Sequence, residues 1–181
     1  MPHLPAVIGP NLMSNSFLGS NTQICVVTRD FQRTMEGLVR AGIGPWRVYT
    51  FDPTTVADMT YRGKPAEYSM RLGLADSGTM NWEIVQPLKG PNIYEEFLEA
   101  HGEGIHHVAF GCNGIPWAER VKAFTDRGYA MIQSGVWLGR VPYAYFETEG
   151  DTTTTFEIFD VPPDFPTPTP ELWYPAPPPG A

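Results

Sequence analysis

A chain of 181 residues, 42% of them hydrophobic and 13% aromatic, is long enough to bury a sizeable core in one domain or in two small modules sharing one. Its formal net charge of -8, with no basic stripe to compensate locally, argues against nucleic acid or an anionic membrane as partner, because both demand a cationic surface. The two cysteines, Cys25 and Cys112, lie in apolar, strand-like runs and read as buried small side chains rather than a disulfide.

Residues 1–20 form a loose N-terminal arm carrying Pro2, Pro5 and Pro10, without the charged start and apolar core of a secretory leader. No run approaches the roughly 20 apolar residues of a membrane span, so a soluble, cytoplasmic protein is expected. Residues 22–28 (TQICVVT) alternate and are β-branched, which predicts a strand. Asp30 then stands as an N-cap, and Phe31, Met35, Leu38 and Val39 mark one helical face until Gly42, Gly44 and Pro45 end it. Residues 46–51 (WRVYTF) predict a second strand, residues 52–66 a polar, proline-bracketed loop, and residues 67–75 and 79–86 a hairpin. A short amphipathic helix with Ile93, Phe97 and Leu98 on its apolar side closes near Gly102.

The pattern then begins again. A strand at 105–112 is followed by Pro116 at a helix start, by the apolar stripe Trp117, Val121 and Phe124, and by strand candidates at 129–133, 143–148 and 153–159. Each half therefore reads βαβββ, and a repeat of this kind suggests two units that share one core. The fold expected is α+β, with two paired βαβββ modules forming a cupped mixed sheet around a central cavity. Residues 21–160 make the single domain, with module one at 21–103, including the linker helix, and module two at 104–160. From Val161 proline dominates, and Leu172-Trp173-Tyr174 is too apolar for a free linker, so the tail at 161–181 reads as a strap anchored on the body by its aromatics.

Within Gly104-Ile105-His106-His107-Val108-Ala109-Phe110, strict strand alternation sends the two histidines to opposite faces, so that only one of them can reach a given pocket. Gln23 and His107 occupy matching places in the two halves, each seven residues before the matched positions Asp30 and Gly114. Glu83 and Glu157 match in the last strands, each between bulky apolar neighbours, where burial of a carboxylate is costly unless something pairs with it. If the first and last strands of both units line one cavity, Gln23, Glu83, His107 and Glu157 converge there. An imidazole, two carboxylates and an amide oxygen suit one divalent ion such as Zn, Ni, Co, Mn or Fe, and the two carboxylates would neutralise it. Tyr143 and Tyr145 share one strand face and are candidates to orient substrate. Arg62, in the cationic cluster Tyr61-Arg62-Gly63-Lys64, is a candidate to steer an anion toward the cavity, with Arg71 and Arg140 as weaker versions. Trp46, Trp82, Trp117 and Trp137 offer bulk for a core or a pocket wall, and His3 and His101 read as surface residues.

Across roughly residues 22–160 the sequence resembles the vicinal oxygen chelate superfamily, which includes glyoxalase I, methylmalonyl-CoA epimerase, extradiol dioxygenases and bleomycin-resistance proteins. The resemblance is carried by Gln23-Ile24-Cys25-Val26-Val27-Thr28-Arg29-Asp30, by Glu83-Ile84-Val85-Gln86-Pro87-Leu88, by Glu96-Phe97-Leu98 with Gly104 to Phe110, and by Phe156-Glu157-Ile158. It implies a metal ligand from the first and last strand of each module, at Gln23, Glu83, His107 and Glu157. The epimerase branch usually has histidine at the Gln23 position and glutamine at the Glu83 position; the set found here is similar to that of some glyoxalase I enzymes. Extradiol dioxygenases need a histidine at the Gln23 position, which disfavours ring cleavage. The activity implied is metal-assisted proton transfer next to a carbonyl of a small-molecule substrate, by an epimerase, isomerase or glyoxalase-like lyase, with Glu157 or Glu83 as base. The alternative is a metal-free protein that sequesters a small molecule, of the bleomycin-resistance type. A homodimer is also compatible with the resemblance, since cupped modules of that family often complete themselves across a two-fold axis.

Overall fold

The computed structural model describes residues 17–112 and 114–180. The first half runs β1 (Ser20–Val27), α1 (Phe31–Arg40), β2 (Trp46–Phe51), β3 (Val56–Tyr61), β4 (Lys64–Pro65), β5 (Ser69–Ser77) and β6 (Met80–Lys89), followed by α2 (Ile93–His101). The second runs β7 (Gly104–Gly111), α3 (Trp117–Thr125), β8 (Met131–Trp137), β9 (Val141–Phe146), the short α4 (Glu149–Thr152) and β10 (Thr155–Phe159), with β11 (Leu172–Tyr174) in the tail. The strands form one curled sheet in the order β11-β2-β5-β6-β1-β7-β10-β9-β8-β3-β4. Its centre is antiparallel, β1 on β7, and on either side β6 lies parallel to β1 and β10 parallel to β7, so the halves repeat about that central pair.

The local chemistry accounts for the helices. Asp30 caps α1, its Oδ1 accepting from the Arg33 N–H at 3.0 Å, and Asn92 caps α2 in the same way through Glu95 at 2.9 Å. Helix α1 buries Phe31 and Met35 against Trp46, Val48, Ala75 and Ile84 on the outer face of the first half. Helix α3 buries Phe124 against Phe146, stacked at 4.1 Å, on the outer face of the second. The opposite, concave face holds the largest cluster, where Tyr49, Phe51, Met70 and Leu72 meet Tyr143, Tyr145 and the buried side of α2. The chain passes from the first half into the second past Glu103, which accepts from Thr28 Oγ1 and from the Arg29 N–H, both at 2.8 Å, and pairs with Arg33. The Arg33 contact, with these two donors, holds its carboxyl down at about 2. A carboxylate so depressed stabilises the fold above its ordinary range and loses that contribution as pH falls from about 4.5 toward 2. Glu103→Gln is therefore expected to be less stable at pH 7 by about 1 kcal/mol, after discounting for solvent screening, with the gap closing in urea titrations at pH 3.

One expectation is corrected. Residues 52–66 are not a loop: they carry β3 and β4, and β3 crosses to pair antiparallel with β8 at the edge of the other half. The alternation is hidden because the register slips between Ala57 and Thr60, so that the buried residues are Val56 and Met59, three apart. In return, β11 from the tail pairs with β2 at the edge of the first half. Glu171 clips it there, accepting from the Thr50 N–H at 2.7 Å and donating its own N–H to Val48 O at 2.9 Å. Of the arm, Phe17 packs edge-on against Phe124 at 5.5 Å; His3, Leu12 and Met13 lie outside the described residues. No helix among the described residues is long and apolar enough to cross a membrane.

Candidate metal centre and cavity

The central strands deliver the site. On β1 the concave-facing positions are Gln23, Cys25 and Val27; Cys25 lies opposite Glu83 on one side and His107 on the other. Glu157 lies on β10 opposite Ala109 of β7 and Tyr145 of β9. Register thus brings Glu83, His107 and Glu157 to one place. His107 Nε2 is 3.1 Å from Glu83 Oε2 and 3.1 Å from Glu157 Oε2, with all three side chains almost completely buried. None of these three atoms makes an aligned hydrogen bond, although each is shut off from solvent. Two buried carboxylate oxygens that each approach the same buried ring nitrogen without donor-acceptor alignment are what a shared partner would satisfy. Two ligands of one ion bound at about 2.1 Å stand roughly 3 Å apart, which matches each carboxylate-imidazole spacing, so His107 fits a divalent ion together with either glutamate. Gln23 lines the same cavity, its Nε2 donating to Asn81 Oδ1 at 3.1 Å, an orientation that leaves the amide oxygen for a second role.

The electrostatics follow from burial and charge. Desolvation lowers the His107 pKa, but the contacts with Glu157 and Glu83 outweigh it and raise the imidazole to about 9. Burial raises the Glu157 carboxyl, opposed by His107. Burial, aided by the charge on His107, holds His106 well below its ordinary value. The two rings are joined Nδ1 to Nδ1 at 2.9 Å, so the neutral His106 accepts and His107 donates, which fixes the orientation of the ring whose Nε2 faces the carboxylates. The expectation that neighbouring histidines face opposite ways is thus corrected. The β1–β7 register slips between Cys25 and Val26, making His106 an extra residue on β7, and a β-bulge turns both rings inward. His106 is further held edge-on by Phe97 at 4.9 Å and Tyr94 at 5.4 Å, both from α2.

Sequence reasoning passed over Cys25 as chemistry. It is fully buried, and its sulfur, Glu83 and His107 each offer a ligand atom within 4.8 Å of the others. The signal was available, since Cys25 is the next inward-facing position after Gln23. Burial and the nearby Glu83 carboxylate push its thiol well up, which keeps it protonated. Cys112 is buried as well, so neither thiol is expected to react with Ellman's reagent in the native protein, and both are expected to react once it is unfolded in guanidinium.

A cavity of about 120 Å³ opens above the carboxylates, lined by Gln23, Glu83 and Glu157 and by Tyr143 and Tyr145 among apolar side chains. Tyr145 accepts from Tyr94 at 2.8 Å, and Tyr143 shares a proton with Tyr68 at 3.0 Å. Of the tryptophans, Trp137 lines the cavity, Trp46 is core beneath α1, and Trp82 and Trp117 pack with the outer clusters. Arg62 does not join the site. It pairs with Glu96 at 2.5 Å and Glu147 at 2.6 Å and is absent from the cavity lining, so its charge braces α2 and the end of β9. Arg71 lies over Phe31 on the outer face, and Arg140 pairs with Asp164 of the tail. His101 is half-exposed beside Glu149.

A curled sheet of two β-α-β-β-β halves with a polar cluster at its centre defines a protein class, and the sequence comparison agrees with it. The profile of the Glyoxalase/Bleomycin resistance protein/Dioxygenase superfamily matches residues 22–145, and the chain belongs to that superfamily, the vicinal oxygen chelate fold. It is similar to the uncharacterized protein YqjC of Bacillus subtilis, 30% identical over 66 residues, a match that covers 36% of this chain and 46% of that one. Among solved structures it resembles methylmalonyl-CoA epimerase from Mycobacterium tuberculosis, at 12% identity and TM-score 0.60, covering 81% of this chain and 91% of that one. It also resembles a hypothetical protein from Bacillus halodurans, at 16% identity and TM-score 0.58, covering 82% and 98%. A Streptomyces coelicolor methylmalonyl-CoA epimerase variant in complex with 2-nitronate-propionyl-CoA is similar at 16% identity and TM-score 0.56, covering 83% and 99%. At these identities the likeness is one of fold.

Proposed function

We propose that this chain is a divalent-metal-dependent enzyme that moves a proton at the carbon next to a carbonyl of a small organic substrate, in an epimerase, isomerase or glyoxalase-like lyase reaction. The observation that carries this reading is the approach of Glu83 Oε2 and Glu157 Oε2 to His107 Nε2, three buried atoms that satisfy no hydrogen bond among themselves. Gln23, Glu83, His107 and Glu157 would hold the ion. When bound, it supplies an electrophile that stabilises negative charge developing on a substrate oxygen.

The chain's own groups do the rest. Glu157 is the better placed base: its Oε2 faces His107, which leaves Oε1 for the substrate proton, and its burial raises its proton affinity toward that of a useful base. The Tyr145 hydroxyl, itself accepting from Tyr94, is oriented to donate to Glu157, which favours the ionised carboxylate that takes the proton. Returning the proton to the opposite face of the same carbon gives epimerisation, and returning it to the adjacent carbon gives isomerisation. The apolar wall excludes water that would otherwise compete for the carboxylate.

The test is proton exchange. Protein loaded with Mn, Co, Ni or Zn is incubated in D₂O with a panel of enolisable α-hydroxy ketones and α-keto compounds, and deuterium entry at the carbon is followed by NMR. Exchange abolished by EDTA, and reduced about 100-fold or more in Glu157→Gln with its metal retained, supports the reading. Ligand binding unaffected by EDTA, without exchange for any compound, would favour the sequestering protein instead.

A further inference from the structure

We propose that the substrate is an uncharged compound with about the bulk of one aromatic ring bearing its carbonyl, and that carboxylate anions and acyl-CoA thioesters are not accepted. This deepens the proton-transfer reading and rests on the same cavity, but it is carried by the walls rather than by the metal ligands.

The walls are apolar and largely aromatic: Phe51, Met70, Leu72, Trp137, Val141 and Phe159 surround a floor made by Glu83 and Glu157. No lysine or arginine lines the cavity among the described residues. The cations that could reach its surroundings are engaged elsewhere, Arg47 with Asp76 at 3.0 Å, Arg62 with Glu96 and Glu147, and Arg140 with Asp164 at 2.6 Å. An anionic ligand would therefore be desolvated against two carboxylates with no countercharge. A bound dication would cancel the two carboxylates but leave no net positive charge, since His107 adds none as a ligand, so the desolvation of a second anion would still find no countercharge among the side chains of the wall. The phosphates of an acyl-CoA would also meet a protein whose net charge is -8.

Size points the same way. A volume of about 120 Å³ is a little below the engineered cavity of about 150 Å³ that holds benzene, so it admits roughly one ring. The wall is not free to retreat. Trp137 is stacked on Phe51 at 4.8 Å, flanked by Tyr49 at 5.4 Å, and covered by Phe165 of the tail at 5.8 Å. That stretch of tail runs from Val161, which lines the cavity, past Asp164 on Arg140, to Pro168, whose carbonyl accepts from Tyr49 at 3.0 Å. The tail thus ties the two halves together beside the cavity and holds its aromatic wall in place. The fold is shared with methylmalonyl-CoA epimerases, while the substrate class proposed here is another.

The experiment compares three probes on the full chain, EDTA-treated and metal-loaded, by ligand-observed NMR with competition. 2-Hydroxyacetophenone is uncharged and has one ring, mandelate carries a carboxylate on a similar skeleton, and propionyl-CoA is a thioester. The expected result is that 2-hydroxyacetophenone binds at least about tenfold more tightly than mandelate and is not displaced by propionyl-CoA. Trp137→Ala is expected to weaken it about tenfold while leaving the metal content unchanged. Equal or tighter binding of mandelate or propionyl-CoA overturns the proposal, as does the absence of 2-hydroxyacetophenone binding to the wild type. Ring selectivity in a protein that takes up no metal leaves this proposal standing and removes the proton-transfer reading. Metal uptake with a preference for the anion does the reverse.

Discussion

Wild-type protein incubated with excess Mn, Co, Ni or Zn and desalted will retain about one equivalent of metal per chain by plasma mass spectrometry, and His107→Ala will retain less than about a tenth of it. Among the described residues His107 is the only imidazole paired with both carboxylates, and its Nε2 is the atom on which Glu83 and Glu157 converge at 3.1 Å. Glu83→Ala and Glu157→Ala each remove one ligand and half of the neutralising charge, and each is expected to lose at least about tenfold in affinity. Because an ion that binds only the folded state stabilises it by mass action, loading at about 100 times Kd should add roughly 2.7 kcal/mol. For a chain of this size that is a rise in Tm of about 5–10 °C, erased by EDTA in the wild type and absent in His107→Ala. Failure of every ion in the panel to bind would leave two buried glutamates on one histidine as a structural triad and would favour the sequestering protein.

The second large effect is a pH dependence of opposite sign with and without metal. In chelated protein the His107 imidazolium is held by two carboxylates, with a pKa near 9 against an ordinary 6.5. A folded-state pKa raised in this way contributes stability that is fully present below about pH 6.5 and is lost as pH rises through 9. The full difference amounts to roughly 3 kcal/mol, to be read from urea titrations at pH 6 and pH 9.5. Glu157, raised by its burial, works in the same direction from a lower pH. Metal must displace the proton on His107 Nε2, so metal affinity should instead climb across the same window. His107→Gln should flatten both dependences; if the chelated wild type shows no loss of stability above pH 7, the imidazolium triad is wrong.

Much of this was legible beforehand, for reasons tied to particular residues. The α1 boundaries follow from Asp30 and the Gly42-Gly44-Pro45 stop, and the β5–β6 hairpin from Asp76-Ser77-Gly78, because caps and tight turns are written in a few adjacent positions. Glu83 and Glu157 stood out because a carboxylate between apolar strand neighbours demands a partner. What escaped was set by register. The slip within β3 replaced alternation with buried residues three apart, and the extra residue at His106 turned a histidine inward that alternation sends outward. Strand β11 hid among prolines, which an edge strand tolerates. Arg62 looked free because its partners, Glu96 and Glu147, are distant in sequence.

The reciprocal exchange of edge strands also orders the protein's biogenesis. Strand β2 is complete by residue 51, yet the strand that covers its open side arrives only with residues 172–174. The opposite rim has the converse history: β3 is synthesised long before β8, the strand it will pair with, has left the ribosome. Each half of a nascent chain therefore waits on a segment coded in or beyond the other, and the β2 margin stays unpaired until the tail emerges. An unpaired margin is where a second nascent chain could dock. Covering it with three residues held by Glu171 removes that opportunity at the moment the cup is finished.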